Sequence, residues 1–322
     1  MKRVDPATIT TRSAGVTVTR IGVSLGAEIG DVDLTRPLAP AQFQAIEAAL
    51  VEHELLVFRN QSISSDDLMR FGRLFGELTV HPFAPAEGVH PELIKFRNDE
   101  HSAPFGTDVW HSDETFRAEP PMATLLCAKV VPAIGGDTVF ASMSAAFEGL
   151  SERMQRFISG LEAIHDIKPF RVLFGDASED RERLHEHERR FPPRAHPVVR
   201  VHPVSGRKVL FVNPNFTVKI KDMDERDSRS LLDTLYFQAL VPEYQYRLRW
   251  APDTIAVWDN RSVQHYALHD YYPQKRYMER VTIRGGPVVG IEAVDGASVK
   301  KIKFDVPAGT DPYGGHKPQA AG

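Results

Sequence analysis

The chain has 322 residues, of which 42% are hydrophobic and 25% are charged, and its net charge at neutral pH is −4. This balance predicts a globular protein that binds neither nucleic acid nor membranes, since the chain has no long block of lysine and arginine and no apolar run long enough to span a bilayer. The lone cysteine, Cys127, excludes an internal disulfide and a thiolate zinc cluster, and with a start that lacks a secretory signal it predicts a cytoplasmic protein.

The first quarter of the chain predicts strands and helices in alternation. Residues 16–38 alternate apolar and polar side chains between glycine breaks, as strands do. Residues 40–53 predict a helix that opens on a proline, and residues 54–61 predict a buried strand. Residues 62–78 predict a second helix, which a serine caps ahead of two aspartates.

The rest of the chain predicts more strand than helix. Residues 80–145 are strand-like and are broken by proline and glycine, and a very polar insertion near residues 165–195 is either solvated surface or a mobile lid. Two amphipathic helices are predicted at 144–160 and 224–239. Later strands are predicted at 196–203, 208–213, 246–260 and 277–285.

This distribution of elements predicts a mainly β fold with flanking helices. We expect a double-stranded β-helix core, the jelly-roll or cupin-like arrangement, because strands are many and helices few. A repeated βαβ fold is disfavoured, since regular alternation does not continue past residue 80. We predict one domain over residues 1–308 and a disordered tail over residues 309–322, where glycine and proline are frequent.

The segment DVWHSDETF, residues 108–116, contains the first candidate metal ligands. If it is a strand, His111 and Asp113 project from one face and offer a nitrogen and an oxygen ligand. His265, which follows the polar turn of the motif WDNRS, is the candidate third ligand. Two histidines and one carboxylate suit non-haem Fe(II) and leave coordination positions free. An ordinary polar surface turn is the alternative, since short H-x-D pairs are frequent by chance.

Two long motifs resemble the taurine dioxygenase family of Fe(II)- and 2-oxoglutarate-dependent dioxygenases, which includes alkylsulfatases and phenoxyalkanoate dioxygenases. One motif joins WHSDETF to PPMATLLCAKVVPAIGGDTVFASM, and the other is WDNRSVQHYALHDYYPQKRYMERVTIRG. The resemblance covers most of residues 20–290. It implies that His111, Asp113 and His265 bind Fe(II), that 2-oxoglutarate and O2 are co-substrates, and that the protein is a homodimer or homotetramer.

The resemblance also assigns the residues that hold 2-oxoglutarate. Arg276 stands where the family's arginine grips the distal carboxylate, and Thr138 of the GGDT turn stands where a threonine adds a hydroxyl. Arginine suits this role because its planar fork binds a carboxylate through two hydrogen bonds. If residues 276–284 form a strand, Arg276 and Arg280 share one face about 13 Å apart, at roughly 3.3 Å per residue. Two anions could then occupy separate pockets.

The primary substrate implied by the resemblance is a small organic anion. His81 and Arg280 match the pair that binds the anionic head in sulfonate and sulfate members. Phe116 and Phe216 are candidates for the pocket walls, although core packing is equally consistent with both. Glu114 departs from the taurine dioxygenase-like and alkylsulfatase-like members, which have an apolar residue after the metal-binding aspartate. This carboxylate either recognises a substrate ammonium or turns outward.

The predicted reaction is hydroxylation of a carbon next to a heteroatom in a sulfonate, an alkyl sulfate or an aryloxyalkanoate. Hydroxylation would release succinate and CO2 from 2-oxoglutarate, and the hydroxylated product would collapse to an aldehyde or ketone. No residue beyond the metal ligands is predicted to act in catalysis. One alternative is a His/Asp/His metal hydrolase, which would have no use for Arg276 and Thr138. The other is a dioxygenase for an amine-bearing substrate that Glu114 recognises.

Overall fold

The computed structural model describes residues 9–83, 90–102, 104 and 106–291. These residues form six α-helices and sixteen strands, so the fold is a mixture of helix and sheet. The predicted domain end at residue 308 and the predicted tail over residues 309–322 lie outside the described residues. Within them, no helix combines the length and the apolar character that a membrane span requires.

The six α-helices are interspersed among the sixteen strands along the chain. The α-helices are α1 (Pro40–His53), α2 (Ser65–Phe75), α3 (Met143–Gly149), α4 (Glu152–Ile158), α5 (Ser178–Arg190) and α6 (Glu225–Tyr236). The strands are β1 (Thr10–Ser13), β2 (Val16–Arg20), β3 (Ala27–Gly30), β4 (Leu55–Phe58), β5 (Ile94–Asn98), β6 (Ala123–Val130), β7 (Thr138–Ser142), β8 (Glu162–His165), β9 (Arg194–Pro197), β10 (Val199–Val201), β11 (Lys208–Leu210), β12 (Thr217–Ile220), β13 (Gln245–Leu248), β14 (Ile255–Asp259), β15 (Val263–Ala267) and β16 (Arg276–Ile283).

The largest sheet has eight strands in the order β1-β2-β3-β4-β14-β6-β16-β5. Neighbouring strands are antiparallel except β3 and β4, which are parallel. The strand β4 is buried along its whole length because both faces of the sheet are covered. Its residues Leu56 and Phe58 pack into the cluster that includes Leu50 of α1 and Leu68 of α2. The two N-terminal helices therefore cover one face of this sheet.

A smaller sheet, β13-β7-β15, covers the opposite face of the large one. Leu55 and Val57, which alternate with the helix-facing residues of β4, share a cluster with Phe140 of β7 and Val263 of β15. The two sheets thus pack face to face. Candidate site residues belong to both, because His265 lies on β15 and Arg276 begins β16.

The N-terminal predictions are confirmed closely. Helix α1 spans the predicted residues 40–53 and ends at Glu54, whose backbone is left-handed with φ of 64°. Helix α2 is capped by Ser64, whose side chain accepts a hydrogen bond from the backbone N–H of Asp67. The polar insertion contains α5, an exposed helix in which no residue is buried. Both possibilities for its surroundings, solvated surface or lid, are consistent with that exposure.

Three predicted elements differ from the structure. The helix predicted at 144–160 is two helices, because Leu150 and Ser151 are extended and Ser151 caps α4 anew. The strand predicted at 246–260 is two strands in different sheets, β13 and β14, with Asp253 at a positive φ of 60° between them. The strand-like stretch 80–145 holds β5, β6 and β7, but the described residues from 99 to 122 form turns and bends.

Candidate active site

Three side chains that could hold a metal ion meet at one place. His111, Asp113 and His265 are all buried, and their ligand atoms all lie within 4.8 Å of one another. The two histidines lie on neighbouring backbone segments, where each backbone N–H donates to the carbonyl of the other, at 3.1 and 2.8 Å. Residues separated by more than 150 positions in the chain are thus brought into direct contact, as the sequence predicted.

The predicted strand around His111 and Asp113 is wrong. His111 forms only an isolated bridge to His265, and Asp113 lies in a turn that continues through Glu114, whose φ is 49°. A contact from the start of β15 holds this turn, since Ser112 Oγ donates to the carbonyl of Val263 at 2.7 Å. Tertiary contacts rather than strand alternation therefore bring the imidazole and the carboxylate together.

Both histidines are set up to act as neutral nitrogen ligands. His111 Nδ1 lies 2.6 Å from the carbonyl of Val109, which can only accept, so Nδ1 carries the proton and Nε2 is left with its lone pair. Burial lowers the pKa of His111, and burial followed by the His111 charge lowers the pKa of His265 to about 3. A neutral imidazole is the form that binds a metal ion.

The Asp113 carboxylate is held by a chain of hydrogen bonds. Thr124 Oγ1 donates to Asp113 Oδ2 at 2.6 Å, and Asn260 Nδ2 donates to Thr124 Oγ1 at 2.8 Å. Trp258 Nε1 in turn fixes Asn260 by donating to its Oδ1 at 3.0 Å. Burial disfavours ionisation of Asp113, but the Arg280 guanidinium and the two imidazoles outweigh it and hold the pKa well below its usual range. Asp113 is therefore an ionised, oriented oxygen ligand.

Sequence reasoning missed the part that Thr124 and Asn260 play. Asn260 belongs to the polar turn after β14, next to the third candidate ligand in the sequence, yet it supports Asp113 instead. Asn260 also contacts the backbone of Asp113, whose N–H donates to Asn260 Oδ1 at 3.3 Å. Thr124 gave no signal of its own, because a threonine in an apolar strand is ordinary.

The donor set fits a divalent metal ion such as Fe(II). Two imidazoles and one carboxylate are the ligands typical of non-haem iron sites. In the described part of the chain, His265 Nδ1 is buried and has no hydrogen-bond partner. A buried nitrogen without a partner, in a cluster of three metal-binding side chains, is consistent with a site that an ion completes.

Arg276 is a buried cation without a carboxylate partner. Its guanidinium lies over the ring of Tyr271, with Cζ 5.5 Å from the ring centroid, and burial lowers its pKa. Among the described residues no carboxylate lies within 4.0 Å of it, and its Nε has no hydrogen-bond partner. A buried charge that lacks an oppositely charged partner is costly, so this arginine suits a ligand that brings its own carboxylate.

The GGDT turn packs directly against Arg276. A Cβ built on Gly136 would lie 3.4 Å from Arg276 Cδ and 3.2 Å from Tyr271 Cδ1, and the φ of Gly136 is 70°. Only glycine suits this left-handed backbone so close to its neighbours. Thr138 follows at the start of β7, where its hydroxyl accepts a hydrogen bond from Trp250 Nε1 at 3.0 Å. The hydroxyl proton is left for a second partner.

A cavity of about 250 Å³ lies in front of the metal-ligand cluster. Of the predicted substrate residues, His81, Glu114, Phe216 and Arg280 line it. Phe116 does not, since it is 1% exposed and packs behind Phe216 at 5.4 Å between ring centroids, so its assignment to the pocket wall is wrong. The other lining residues in the described part of the chain are Phe83, Ile94, Lys95, Phe96, Gly106, Thr107, His111, Asp113, Pro169, Phe170, Leu173 and Asn215.

Arg280 and His81 are basic side chains of the cavity wall. Arg280 Nη1 lies 3.4 Å from Asp113 Oδ1, and its Nε has no hydrogen-bond partner among the described residues. Burial, followed by the charge of Arg280, lowers the pKa of His81 to about 3. The Nδ1 of His81 accepts from the backbone N–H of Phe83 at 3.2 Å, so its Nε2 carries the proton and can donate to an anion.

Glu114 points inward rather than outward. It is 2% exposed and lines the cavity, and Arg117 Nε donates to its Oε2. Burial raises the pKa of Glu114, while the Arg117 guanidinium opposes that rise. The possibility that this side chain turns to solvent is thereby wrong.

The comparisons with known proteins agree with this geometry. A family model described as “Taurine catabolism dioxygenase TauD, TfdA family” matches residues 17–282. The chain is 36% identical over 274 residues to an alpha-ketoglutarate-dependent sulfate ester dioxygenase of Pseudomonas putida, with 83% of this chain and 89% of that protein covered. It is 31% identical over 279 residues to an alpha-ketoglutarate-dependent 2,4-dichlorophenoxyacetate dioxygenase of Cupriavidus pinatubonensis, with 82% and 96% covered. A crystal structure of a taurine dioxygenase from Burkholderia xenovorans superposes with a TM-score of 0.74 at 32% identity, covering 86% of this chain and 91% of that one.

Proposed function

The chain belongs to the TauD, TfdA family and is a dioxygenase that depends on 2-oxoglutarate, which is also called alpha-ketoglutarate, and we propose that it hydroxylates a small organic anion next to a heteroatom. The proposed substrates are sulfonates, alkyl sulfates and aryloxyalkanoates, since the relatives are named for a sulfate ester and for dichlorophenoxyacetate. Hydroxylation of such a carbon gives a product that collapses to an aldehyde or ketone and releases sulfite from a sulfonate, sulfate from an alkyl sulfate, or a phenol from an aryloxyalkanoate.

The proposed metal ligands are His111, Asp113 and His265. These residues would hold Fe(II), which with 2-oxoglutarate and O2 would supply the oxidising power for attack on a C–H bond, the co-substrate being converted to succinate and CO2. The role of the chain is to present two neutral imidazoles and one ionised carboxylate in a fixed arrangement. The hydrogen bonds from Val109 and Thr124 keep the His111 ring and the Asp113 carboxylate in place.

Arg276 and Thr138 are the proposed binding groups for the distal carboxylate of 2-oxoglutarate. The support is the combination of a buried guanidinium whose Nε has no partner among the described residues with a hydroxyl at the start of β7, next to a glycine turn that packs on the arginine. A carboxylate brought by a ligand would pair with Arg276 and remove the cost of its burial. A metal hydrolase would have no need of this second anion site, so the hydrolase alternative is disfavoured.

Arg280 and His81 are the proposed binding groups for the anionic head of the primary substrate. Both line the cavity, and each has an N–H without an acceptor within hydrogen-bond distance among the described residues, Nε in Arg280 and Nε2 in His81. The aromatic side chains of Phe83, Phe170 and Phe216 line the same cavity and would keep water from a bound substrate.

Three further features complete the proposal. We assign the core to the double-stranded β-helix class, which the face-to-face packing of the eight-stranded sheet and the sheet β13-β7-β15 supports. A cytoplasmic location is supported by the single cysteine, which is buried. A homodimer or homotetramer is supported by the resemblance to the family alone.

The presence of a metal-ligand cluster together with Arg276, a buried arginine without a carboxylate partner among the described residues, carries the proposal. A two-step experiment tests it. Fe(II) and 2-oxoglutarate are first added without oxygen, and a weak visible charge-transfer band is expected. Oxygen is then added with organic sulfonates, sulfate esters or aryloxyalkanoates, and succinate is measured. We expect substrate-dependent succinate from at least one class. Absence of both the band and the succinate, or product release with zinc and no oxygen, would contradict the proposal.

A further inference from the structure

One carboxylate oxygen in the cavity wall has no partner in the part of the chain that the structure describes. Arg117 occupies Oε2 of Glu114, but Oε1 is buried and accepts no hydrogen bond from the described residues. The Nε2 of His81 lies 4.0 Å away, which is beyond hydrogen-bond distance. A buried acceptor without a donor is costly, and such a group in a native structure needs an explanation. Because Glu114 lines the substrate cavity, a ligand is one source of the missing donor.

The turn that carries Glu114 holds this side chain in place. Its backbone has a φ of 49°, which is unfavourable for a residue with a Cβ, and its carbonyl accepts from the N–H of Arg117 at 3.0 Å. The next residue, Thr115, is bound through its hydroxyl to His165 Nδ1 at 2.9 Å and to Asn213 Nδ2 at 3.1 Å. Since neighbours on both sides are fixed, Glu114 presents a rigid acceptor.

The cavity therefore offers a cation and an acceptor to the same ligand. Arg280 supplies a guanidinium whose Nε is unpaired, and Glu114 supplies Oε1, also unpaired. A ligand with an anionic head alone would satisfy the first group and leave the second buried without a donor. A ligand with an anionic head and a positively charged donor would satisfy both, because hydrogen bonds between ionised groups are the strong ones.

We propose that Glu114 Oε1 is a second recognition point for the primary substrate, and that it accepts a hydrogen bond from an ammonium group. The preferred substrates are then zwitterions, in which an amine accompanies the sulfonate, sulfate or carboxylate. This assignment rests on the proposed function, since it names a subclass of the organic anions that Arg280 and His81 are proposed to bind. The competing role for Glu114 is structural, because Arg117 also donates to the carbonyl of Val80 at 3.0 Å and could simply join two segments.

Matched pairs of substrates separate the two roles. In each pair an ammonium group is replaced by a methyl group of similar size: 3-aminopropanesulfonate and butane-1-sulfonate, 2-aminoethyl sulfate and propyl sulfate, and 4-(aminomethyl)phenoxyacetate and 4-ethylphenoxyacetate. Succinate formation gives kcat/KM for each member. We expect the wild-type enzyme to prefer the ammonium member of its best pair by about tenfold or more, which is the worth of a hydrogen bond between charged groups.

Two Glu114 variants and one control test whether Glu114 is responsible for the preference for the ammonium members. Glu114→Gln keeps the size and removes the charge, and Glu114→Leu removes the acceptor, so we expect the ratio to fall in the first and to invert in the second. Glu119→Gln makes the same change at an exposed position of the same segment and should leave the ratio unaltered. In all of them the KM for 2-oxoglutarate should stay within about twofold, since Arg276 is untouched.

The outcomes distinguish this inference from the proposed function. If succinate forms but the wild-type enzyme favours the methyl members, or if Glu114→Gln leaves the ratio unchanged, the ammonium site is wrong while the dioxygenase activity stands. If no pair supports turnover, binding is read from the change that each compound makes in the anaerobic charge-transfer band, and equal binding within pairs also overturns the inference. The wild-type comparison decides the matter even if a Glu114 variant fails to fold.

Discussion

The metal-ligand cluster of His111, Asp113 and His265, which forms one corner of the site, and the cavity wall differ in how many of their polar groups have hydrogen-bond partners. In the corner, Asp113 is tied to Thr124 and Asn260, and His111 is tied to the Val109 carbonyl. On the wall and beside it, the Nε of Arg276, the Nε of Arg280 and the Oε1 of Glu114 all lack partners among the described residues. In the metal-ligand cluster the hydrogen bonds fix Asp113 and His111, although His265 Nδ1 has no partner among the described residues. Near the cavity the unpaired atoms belong to charged side chains, which a ligand of opposite charge can satisfy.

Asp113 gives the largest expected effect. Replacing it by alanine removes the charged ligand from the corner and leaves Arg280 without its nearest carboxylate. We expect iron binding to be lost and succinate formation to fall by about a thousandfold, because a bound metal ion contributes several kcal/mol to such a reaction. Bound iron, measured after gel filtration, and succinate yield check this outcome. Retention of stoichiometric iron by Asp113→Ala would remove it from the ligand set.

The two arginines of β16 give the next largest effect and a direct contrast. Arg276→Met should raise the KM for 2-oxoglutarate by about a hundredfold, the upper end of the worth of a charge-assisted pair, and leave the KM for the primary substrate nearly unchanged. Arg280→Met should do the reverse. Arg276→Lys should restore little, since a lysine cannot form the bidentate fork.

Steady-state kinetics with each substrate varied in turn measure both constants. Equal effects of the two replacements on both constants would mean that the arginines serve one anion site rather than two. That result would also remove the argument that the missing carboxylate partner of Arg276 marks a separate ligand.

Local patterns in the sequence predicted the elements whose conformation is decided locally. Helix α1 and helix α2 follow from a proline start, a serine cap and apolar spacing, and the apolar run of β4 is a buried strand as expected. The strand predicted at 246–260 failed at Asp253, because a left-handed residue in a turn separates two strands of different sheets. A continuous apolar pattern does not record that the chain changes sheets.

The sequence predicted which residues form the candidate site, but not the turn and the contacts that bring them together. His111, Asp113 and His265 follow from residue types and a family resemblance, but the turn that joins the first two depends on contacts with residues far along the chain. The orientation of Phe116 was likewise not predictable, because the residues next to it in the sequence do not indicate whether its side chain faces the cavity or the core. The unpaired Oε1 of Glu114 could be found only after every neighbour had been placed.

Two buried threonines offer a smaller and well-controlled test of the corner. Thr124 on β6 and Thr282 on β16 face each other across the sheet, but Thr124 donates to Asp113 while Thr282 Oγ1 has no partner in the described part of the chain. Thr124→Val should weaken iron binding by about tenfold, the lower end of the usual cost of losing a group that orients a metal ligand. Thr282→Val, the matched control, should leave iron affinity unchanged. Equal losses in the two variants would show that packing, rather than the hydrogen bond, is what the metal ligand needs.

His81 gives the smallest expected effect, on stability rather than on activity. Its pKa is lowered from 6.5 to about 3 by burial, so the folded protein cannot take up the proton that the unfolded chain binds below pH 6.5. The contribution of this group to stability is therefore complete above pH 6.5 and is lost progressively as the pH falls toward 3. Between pH 7 and pH 5.5 the loss for one such group is about 1.2 kcal/mol. Denaturant unfolding of the metal-free protein at both pH values should show a drop that is smaller by about this amount in His81→Asn than in the wild type. An equal drop in the two proteins would mean that His81 is free to protonate in the folded state, and that the cavity wall is more open to water than its burial implies.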